Sequence, residues 1–196
     1  CLLVTVSYAG DSPKPAAALF GPSSLLVVPS TDVQPFQTFN LNLDNLTVLG
    51  TTTKQAYDST SFGAAYGLSK GLELGASFIS GSDSPLYFNA KYAFAPFGAD
   101  NAWGFAVGAA GLGTDTDTSA NVWYGVASYK FGVDRLTAGF FTGDEDVLAA
   151  PGSDDNSGLL LGWDRSLNDK WWLGADFVSG EGAVSGVNVG AKYAVS

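Results

Sequence analysis

From Phe36 to the end of the chain, apolar side chains alternate with small or polar ones at a period of two. Leu72, Leu74, Ala76 and Phe78 fall on one face, and Glu73, Gly75 and Ser77 on the other. In the next segment Leu86, Phe88, Ala90, Tyr92 and Phe94 oppose Tyr87, Asn89, Lys91 and Ala93. Near the end Val187, Val189, Ala191 and Tyr193 oppose Asn188, Gly190, Lys192 and Ala194. Successive Cβ atoms point to opposite sides of a sheet, so this period marks strands with one apolar face. About ten such segments follow one another, at the spacing of an all-β meander or barrel. They start near Phe36, Ser59, Leu72, Leu86, Ala102, Asn121, Arg135, Gly158, Lys170 and Ser185. Most run about 9–11 residues, the length that crosses a bilayer when tilted.

The connections alternate in length. Ser69 to Gly71, Gly132 to Asp134 and Ser166 to Asp169 are short, and Pro96 to Asn101 is moderate. The intervening loops are mostly longer: Gly50 to Asp58, Gly81 to Pro85, Thr114 to Ala120, Gly143 to Ser157 and Gly180 to Val184. Charge follows the same division. The longer loops hold ten of the nineteen acids and a single base, Lys54, whereas Lys70, Arg135, Arg165 and Lys170 lie on the short-turn side. Aromatics gather near strand ends, with Tyr66, Tyr92, Phe94, Trp103, Tyr129, Phe131, Trp171 and Tyr193 toward the short turns. Phe78, Phe88, Trp123, Phe140 and Phe177 fall toward the long loops. Two aromatic girdles, short turns at one end and longer loops at the other are features of barrels that sit in lipid. The expected fold is therefore all-β: an antiparallel up-and-down transmembrane β-barrel of about ten strands over residues 36–196. An even strand count puts both barrel termini on the short-turn, periplasmic side.

Composition narrows the picture further. Charged residues make up 14% of the chain, against about 25% in an ordinary soluble domain. Glycine occurs 25 times and aromatics reach 13%. Such a composition suits a lipid-facing surface and also a soluble β-sandwich, so the sorting of loops and charge carries more weight. No run of about 18 apolar residues offers a transmembrane helix, and any membrane crossing must use strands. The net charge of −10 argues against nucleic acid as a partner. Histidine is absent, and Cys1 is the only cysteine. A His or Cys metal cluster is excluded, as is an internal disulfide.

The N-terminus reads as a processing signal. The apolar run Leu2 to Val6 precedes Ser7-Tyr8-Ala9, with small residues at the spacing of a signal-peptide cleavage site after Ala9. Residues 1–9 are expected to be a signal-peptide remnant; the rival reading makes Cys1 a lipidated terminus. Both imply export. Residues 10–35 are expected to form an N-terminal periplasmic segment or plug, with Leu25 to Val28 packed against the barrel mouth.

If the apolar faces meet lipid, the opposite faces line a lumen. The candidate lining residues are Glu73, Asn89, Lys91, Lys130, Asp164, Asp176, Asn188 and Lys192. Acids and bases are mixed, and Asp176 and Lys192, on the last two strands, are candidates to face each other. Eight strands enclose an interior that side chains just fill, and ten leave slightly more room. The lining therefore suits either a narrow polar channel or an interior that satisfies its own charges. The small residues Gly63, Gly104, Gly108, Gly125, Gly174 and Gly190 favour the channel. Without histidine the usual proton carrier and nucleophile activator is missing, so no enzyme activity, catalytic residue or cofactor is expected. The runs Asp115-Thr116-Asp117 and Asp144-Glu145-Asp146 offer oxygen ligands to divalent cations, or through them to lipopolysaccharide, but lack EF-hand spacing.

The segment Phe20-Gly21-Pro22-Ser23-Ser24-Leu25-Leu26-Val27-Val28-Pro29-Ser30-Thr31-Asp32-Val33 resembles a signature near the N-terminus of YjbH-like outer-membrane barrels. Tyr66-Gly67-Leu68-Ser69-Lys70-Gly71-Leu72-Glu73-Leu74-Gly75 is similar to a hairpin found in many such barrels. Ser23, Ser24 and Thr31 stand where that signature usually has Thr, Gly and Ala. The resemblance implies a location in the bacterial outer membrane and a link to polysaccharide export, and it transfers no catalytic residue. Two functions follow as expectations. One is a porin-like passive channel for ions or small solutes. The other is a non-conducting structural or polysaccharide-export accessory barrel. The partners expected are the lipid bilayer and, through exposed aromatics, a neighbouring barrel in an oligomer.

Overall fold

A computed structural model of the chain describes residues 23–48, 57–79, 86–95, 102–113, 120–149, 153–180 and 185–194. The signal-peptide remnant, Cys1 and the acids Asp83, Asp115, Asp117 and Glu181 lie outside these residues. Ten strands follow in order: β1 (Phe39–Val48), β2 (Tyr57–Gly67), β3 (Leu72–Ile79), β4 (Leu86–Ala95), β5 (Trp103–Gly113), β6 (Val122–Phe131), β7 (Asp134–Thr142), β8 (Ser157–Ser166), β9 (Trp171–Val178) and β10 (Gly186–Tyr193). They form one sheet in sequence order, with every neighbouring pair antiparallel. This is the up-and-down arrangement that the alternation predicts. Among the described residues no ladder joins β1 to β10.

Nine strands begin within two residues of the expected position, and β1 begins three residues later than Phe36. The delay has a local cause. Pro35 has no N–H to give to a ladder, and Gln37 adopts a positive φ of 61°. The Thr38 amide and hydroxyl both donate to the Pro35 carbonyl, at 3.0 and 2.7 Å. Phe36 therefore makes only an isolated parallel bridge to Gly67, and the regular strand starts once this turn is complete.

The two faces of the sheet differ sharply. Outward positions carry exposed apolar side chains on every strand, among them Leu41, Phe62, Leu74, Phe88, Val107, Trp123, Phe140, Leu161, Phe177 and Val189. Most inward positions are buried, and their chemistry changes along the strands. The half near the short turns carries Glu73, Lys91, Ser128, Arg135, Thr137, Asp164 and Lys192, and Asp176 sits further along β9. The half near the longer loops is apolar, with Ala110, Val122, Tyr124, Phe141, Leu160 and Val178 in one cluster. A four-residue helix, α1 (Glu145–Leu148), lies in the β7–β8 connection. The Asp144 carboxylate caps it by accepting from the Asp146 amide at 3.1 Å. Sequence reading treats this connection as a polar loop; its Leu148 is in fact buried against the cluster, with Val147 partly so.

Candidate functional site: the sheet interior and the segment it holds

The inward polar half does not face open space. It encloses residues 23–34, a strap that precedes β1 and is largely buried itself; Leu25, Val28, Ser24 and Ser30 are fully inaccessible to solvent. The strap turns back on itself. The Leu25 amide donates to the Val28 carbonyl at 2.8 Å, and the Ser30 hydroxyl to the Ser23 carbonyl at 2.7 Å. It reaches β3 and β4 on one side and β7 to β10 on the other, so the sheet curls around it.

The inward charges address this strap mainly through its main chain. Three successive amides, of Leu26, Val27 and Val28, donate to one oxygen of Asp176 on β9 at 3.1, 2.7 and 2.8 Å. The other Asp176 oxygen accepts from the Asn188 side-chain amide at 2.9 Å. On β10, Lys192 donates to the Leu25 carbonyl at 3.1 Å, with its ammonium 4.3 Å from the centre of the Trp172 ring. On β4, Lys91 donates to the carbonyls of Ser23 and Ser30 at 3.0 and 3.3 Å. On β3, Glu73 accepts from the Ser23 hydroxyl and from the Gln34 amide, the latter at 2.8 Å. Charge-assisted bonds of this kind are stronger than neutral ones and satisfy backbone groups that burial would otherwise penalise.

One contact is between side chains. Arg135, at the start of β7, forks onto Asp164 of β8 at 2.7 and 3.1 Å and reaches Asp32 of the strap at 2.6 Å. Trp172 donates its indole N–H to Asp164 at 2.9 Å, which links this cluster to Lys192. Withdrawal from water would by itself raise the Asp32 carboxyl. The charge and hydrogen bond of Arg135, with Lys130 and Lys91 further off, outweigh that and hold it at about 2.

The eight residues singled out from the sequence all occupy inward register positions. Six are buried, namely Glu73, Asn89, Lys91, Asp164, Asp176 and Lys192; Asn188 is half-buried, and Lys130 is exposed near the end of β6. Five of the buried ones join the strap or its Arg135 cluster. Asn89 instead serves a bulge in the β4–β5 ladder, where its carbonyl accepts from the Gly111 amide at 3.1 Å. Asp176 and Lys192 are not cross-strand partners: the register sets Asp176 against Asn188 and Lys192 against Trp172. Sequence reading missed Arg135 and Trp172 as interior residues, although parity held the signal. Arg135 shares its face with Thr137, and Trp172 shares its face with Asp176.

Four of the glycines that suggested an open lumen are covered, whereas Gly125 stands on the outward face, in register with Val107 and Phe140. Leu26 of the strap lies against Gly190, with a Cδ 2.5 Å from where a Cβ would be. Leu25 covers Gly162, Trp172 folds over Gly174, Tyr124 over Gly108 and Asn42 over Gly63.

The outward face is organised at the short-turn end by a run of rings. Tyr92, Phe94, Phe105, Trp103, Tyr129 and Phe131 follow one another with centroids 4.8–6.5 Å apart, and Trp171 and Tyr193 form a further pair at 4.8 Å. Next to this belt Asp134 accepts from Arg165 through both oxygens, at 2.8 and 2.6 Å, and from the Trp163 indole at 2.9 Å.

No family model and no curated protein matches the sequence. Solved structures of a bacterial porin are similar in strand architecture. A mutant of the Rhodopseudomonas blastica porin aligns at 13% identity and a TM-score of 0.42, over 79% of this chain and 50% of its own. Another mutant of that porin aligns at 12% identity and 0.45, over 97% and 73%. A structure titled for the asymmetric conductivity of engineered proteins aligns at 13% and 0.44, over 97% and 73%. The chain thus spans about half the length of the first of these porins. The YjbH-like resemblance gains no support from any of these matches.

Proposed function

We propose that this chain is a β-barrel of the bacterial outer membrane that provides a narrow, porin-like passage for ions or small solutes. The observation that carries the membrane reading is the outward face. Large apolar side chains stand exposed on all ten strands, ending in a belt of stacked aromatic rings. A soluble protein rarely exposes apolar area on that scale. A strand lattice can cross lipid only as a closed barrel, so the reading requires the sheet to close in the bilayer. The passage would follow the inward polar face, through Glu73, Asn89, Lys91, Lys130, Asp164, Asp176, Asn188 and Lys192. Residues 10–35 would act as a periplasmic segment of the barrel, following a signal peptide that ends near Ala9.

A second reading, a non-conducting structural or export-accessory barrel, is favoured by the filled interior. The strap occupies the polar half, and Val122, Phe141, Leu148, Leu160 and Val178 pack together in the other. Planar-bilayer recording of the refolded protein separates the two. Discrete, salt-dependent conductance steps support the passage. A folded, inserted protein that never conducts supports the accessory role. A protein that stays soluble without detergent refutes the membrane reading itself.

A further inference from the structure

We propose that the polar half of the interior is a peptide-binding site, and that residues 23–34 occupy it as a releasable plug. Three observations carry this. First, the contacts are those of a receptor for a main chain. Asp176 collects three successive amides, and Lys91 and Lys192 take three carbonyls between them. Glu73 takes an amide and a hydroxyl. These charged groups come from β3, β4, β9 and β10, strands far apart in sequence, and they converge on a segment that is not part of the sheet. An interior that only had to neutralise itself would pair its acids with its own bases, as Arg135 does with Asp164. Second, the barrel wall is shaped for the segment. Gly162 and Gly190 leave the hollows that Leu25 and Leu26 fill. Third, water can replace each polar bond of the attachment once the strap leaves, while Leu25, Leu26 and Val28, which belong to the apolar cluster, keep it seated until then. Asp32 on Arg135 completes the latch at the edge nearest the mouth, where its side chain keeps 30% of its exposure.

The plug stands whether or not the barrel conducts, so its test has a readout besides current. In a Cys1→Ser background, a Leu26→Cys and Gly190→Cys pair should form a reducible tether, because these two positions touch. A second variant, Asp176→Asn with Lys91→Gln, weakens the latch while nearly preserving shape. Folding of each is checked by the heat-dependent gel mobility of intact barrels. Limited proteolysis of the strap in lipid vesicles is then compared. The expected result is slow cleavage in the wild type, no cleavage in the tethered form, and cleavage faster by roughly tenfold or more in the weakened latch. If the folded Asp176→Asn, Lys91→Gln protein is cleaved no faster than the wild type, the latch is refuted. If the tether does not form, the strap does not sit on β10 and the site is refuted. Conductance that rises in the weakened latch and stops in the tethered form supports plug and passage together. Faster cleavage without any conductance supports the plug and refutes the passage.

Discussion

Arg135 joins an acid of the sheet, Asp164, to an acid of the strap, Asp32. It is buried, its guanidinium fork serves Asp164 in two bonds, and its remaining nitrogen meets Asp32. Removing it leaves two carboxylates without their cation inside the protein, and breaking such a buried pair costs about 3–5 kcal/mol. Arg135→Ala should lower the unfolding free energy of the refolded protein in lipid vesicles by that amount, read as a lower urea midpoint at unchanged slope. Arg135→Lys keeps the charge but not the fork, and should fall between the two. A loss below 1 kcal/mol for the alanine variant would mean that water, not Arg135, satisfies these acids. Asp32 makes a separate, pH-dependent statement. Its carboxyl falls from 3.8 in the unfolded chain to about 2 in the folded one. A depressed acid stabilises the fold fully above its unfolded value and loses that contribution as pH falls through its folded value. The difference in strap protection between wild type and Asp32→Asn should therefore be constant above about pH 4 and vanish near pH 2. A difference that already disappears near pH 4 would show that Arg135 does not hold Asp32 in solution.

Strands were legible because each carries its own signal, whereas the strap was legible only as an apolar run expected to pack at the mouth, because its partners lie elsewhere. The alternation of Leu86, Phe88 and Ala90 against Tyr87, Asn89 and Lys91 needs no partner to be read, and β4 appears where it predicts. The strap has neither period nor turn pattern. What defines it is a set of side chains up to 167 positions away, as in the bond from Lys192 to Leu25. The sequence shows Leu25 to Val28 as an apolar run and Asp176 as an inward acid. It does not show that one acid takes three amides of that run. Parity did identify the inward charges, yet it could not say whether they face water or a peptide. The same limit explains Gly190, which reads as lumen space and is in fact the seat of Leu26. Gly190→Val should crowd Leu26 and lift that edge of the strap, at the cost usual for overpacking. Amide exchange at Leu26, Val27 and Val28 should quicken by roughly tenfold or more, while amides in the β6–β7 ladder keep their rates. Uniformly faster exchange would instead mean that the substitution damages the whole sheet.

At the scale of the whole molecule, the orientation of the two faces decides between a lipid and an aqueous environment, and the five tryptophans allow it to be measured. Trp103 and Trp171 belong to the outward belt near the short turns, and Trp123 stands outward near the opposite end, 61% exposed. On β6, Trp123 and Phe131 are eight residues apart, about 27 Å along the strand and about 20 Å in depth at the tilt usual for barrels. That span is close to the apolar band of about 25 Å expected of such a protein. A charge placed in the middle of the band on the outward face should be costly. Leu161→Arg, on the outward face of β8, should destabilise the inserted protein by about 2–4 kcal/mol. The sharper measurement is depth-dependent quenching by brominated lipids, using variants that keep one tryptophan each. Trp103 and Trp123 should be quenched from opposite leaflets, and both more weakly by bromines at the bilayer centre. Trp172, which points inward against Asp164 and Lys192, should not be quenched at any depth. Quenching of Trp172 would mean that the faces are inverted, and quenching of none of the three would mean that the apolar face meets something other than lipid.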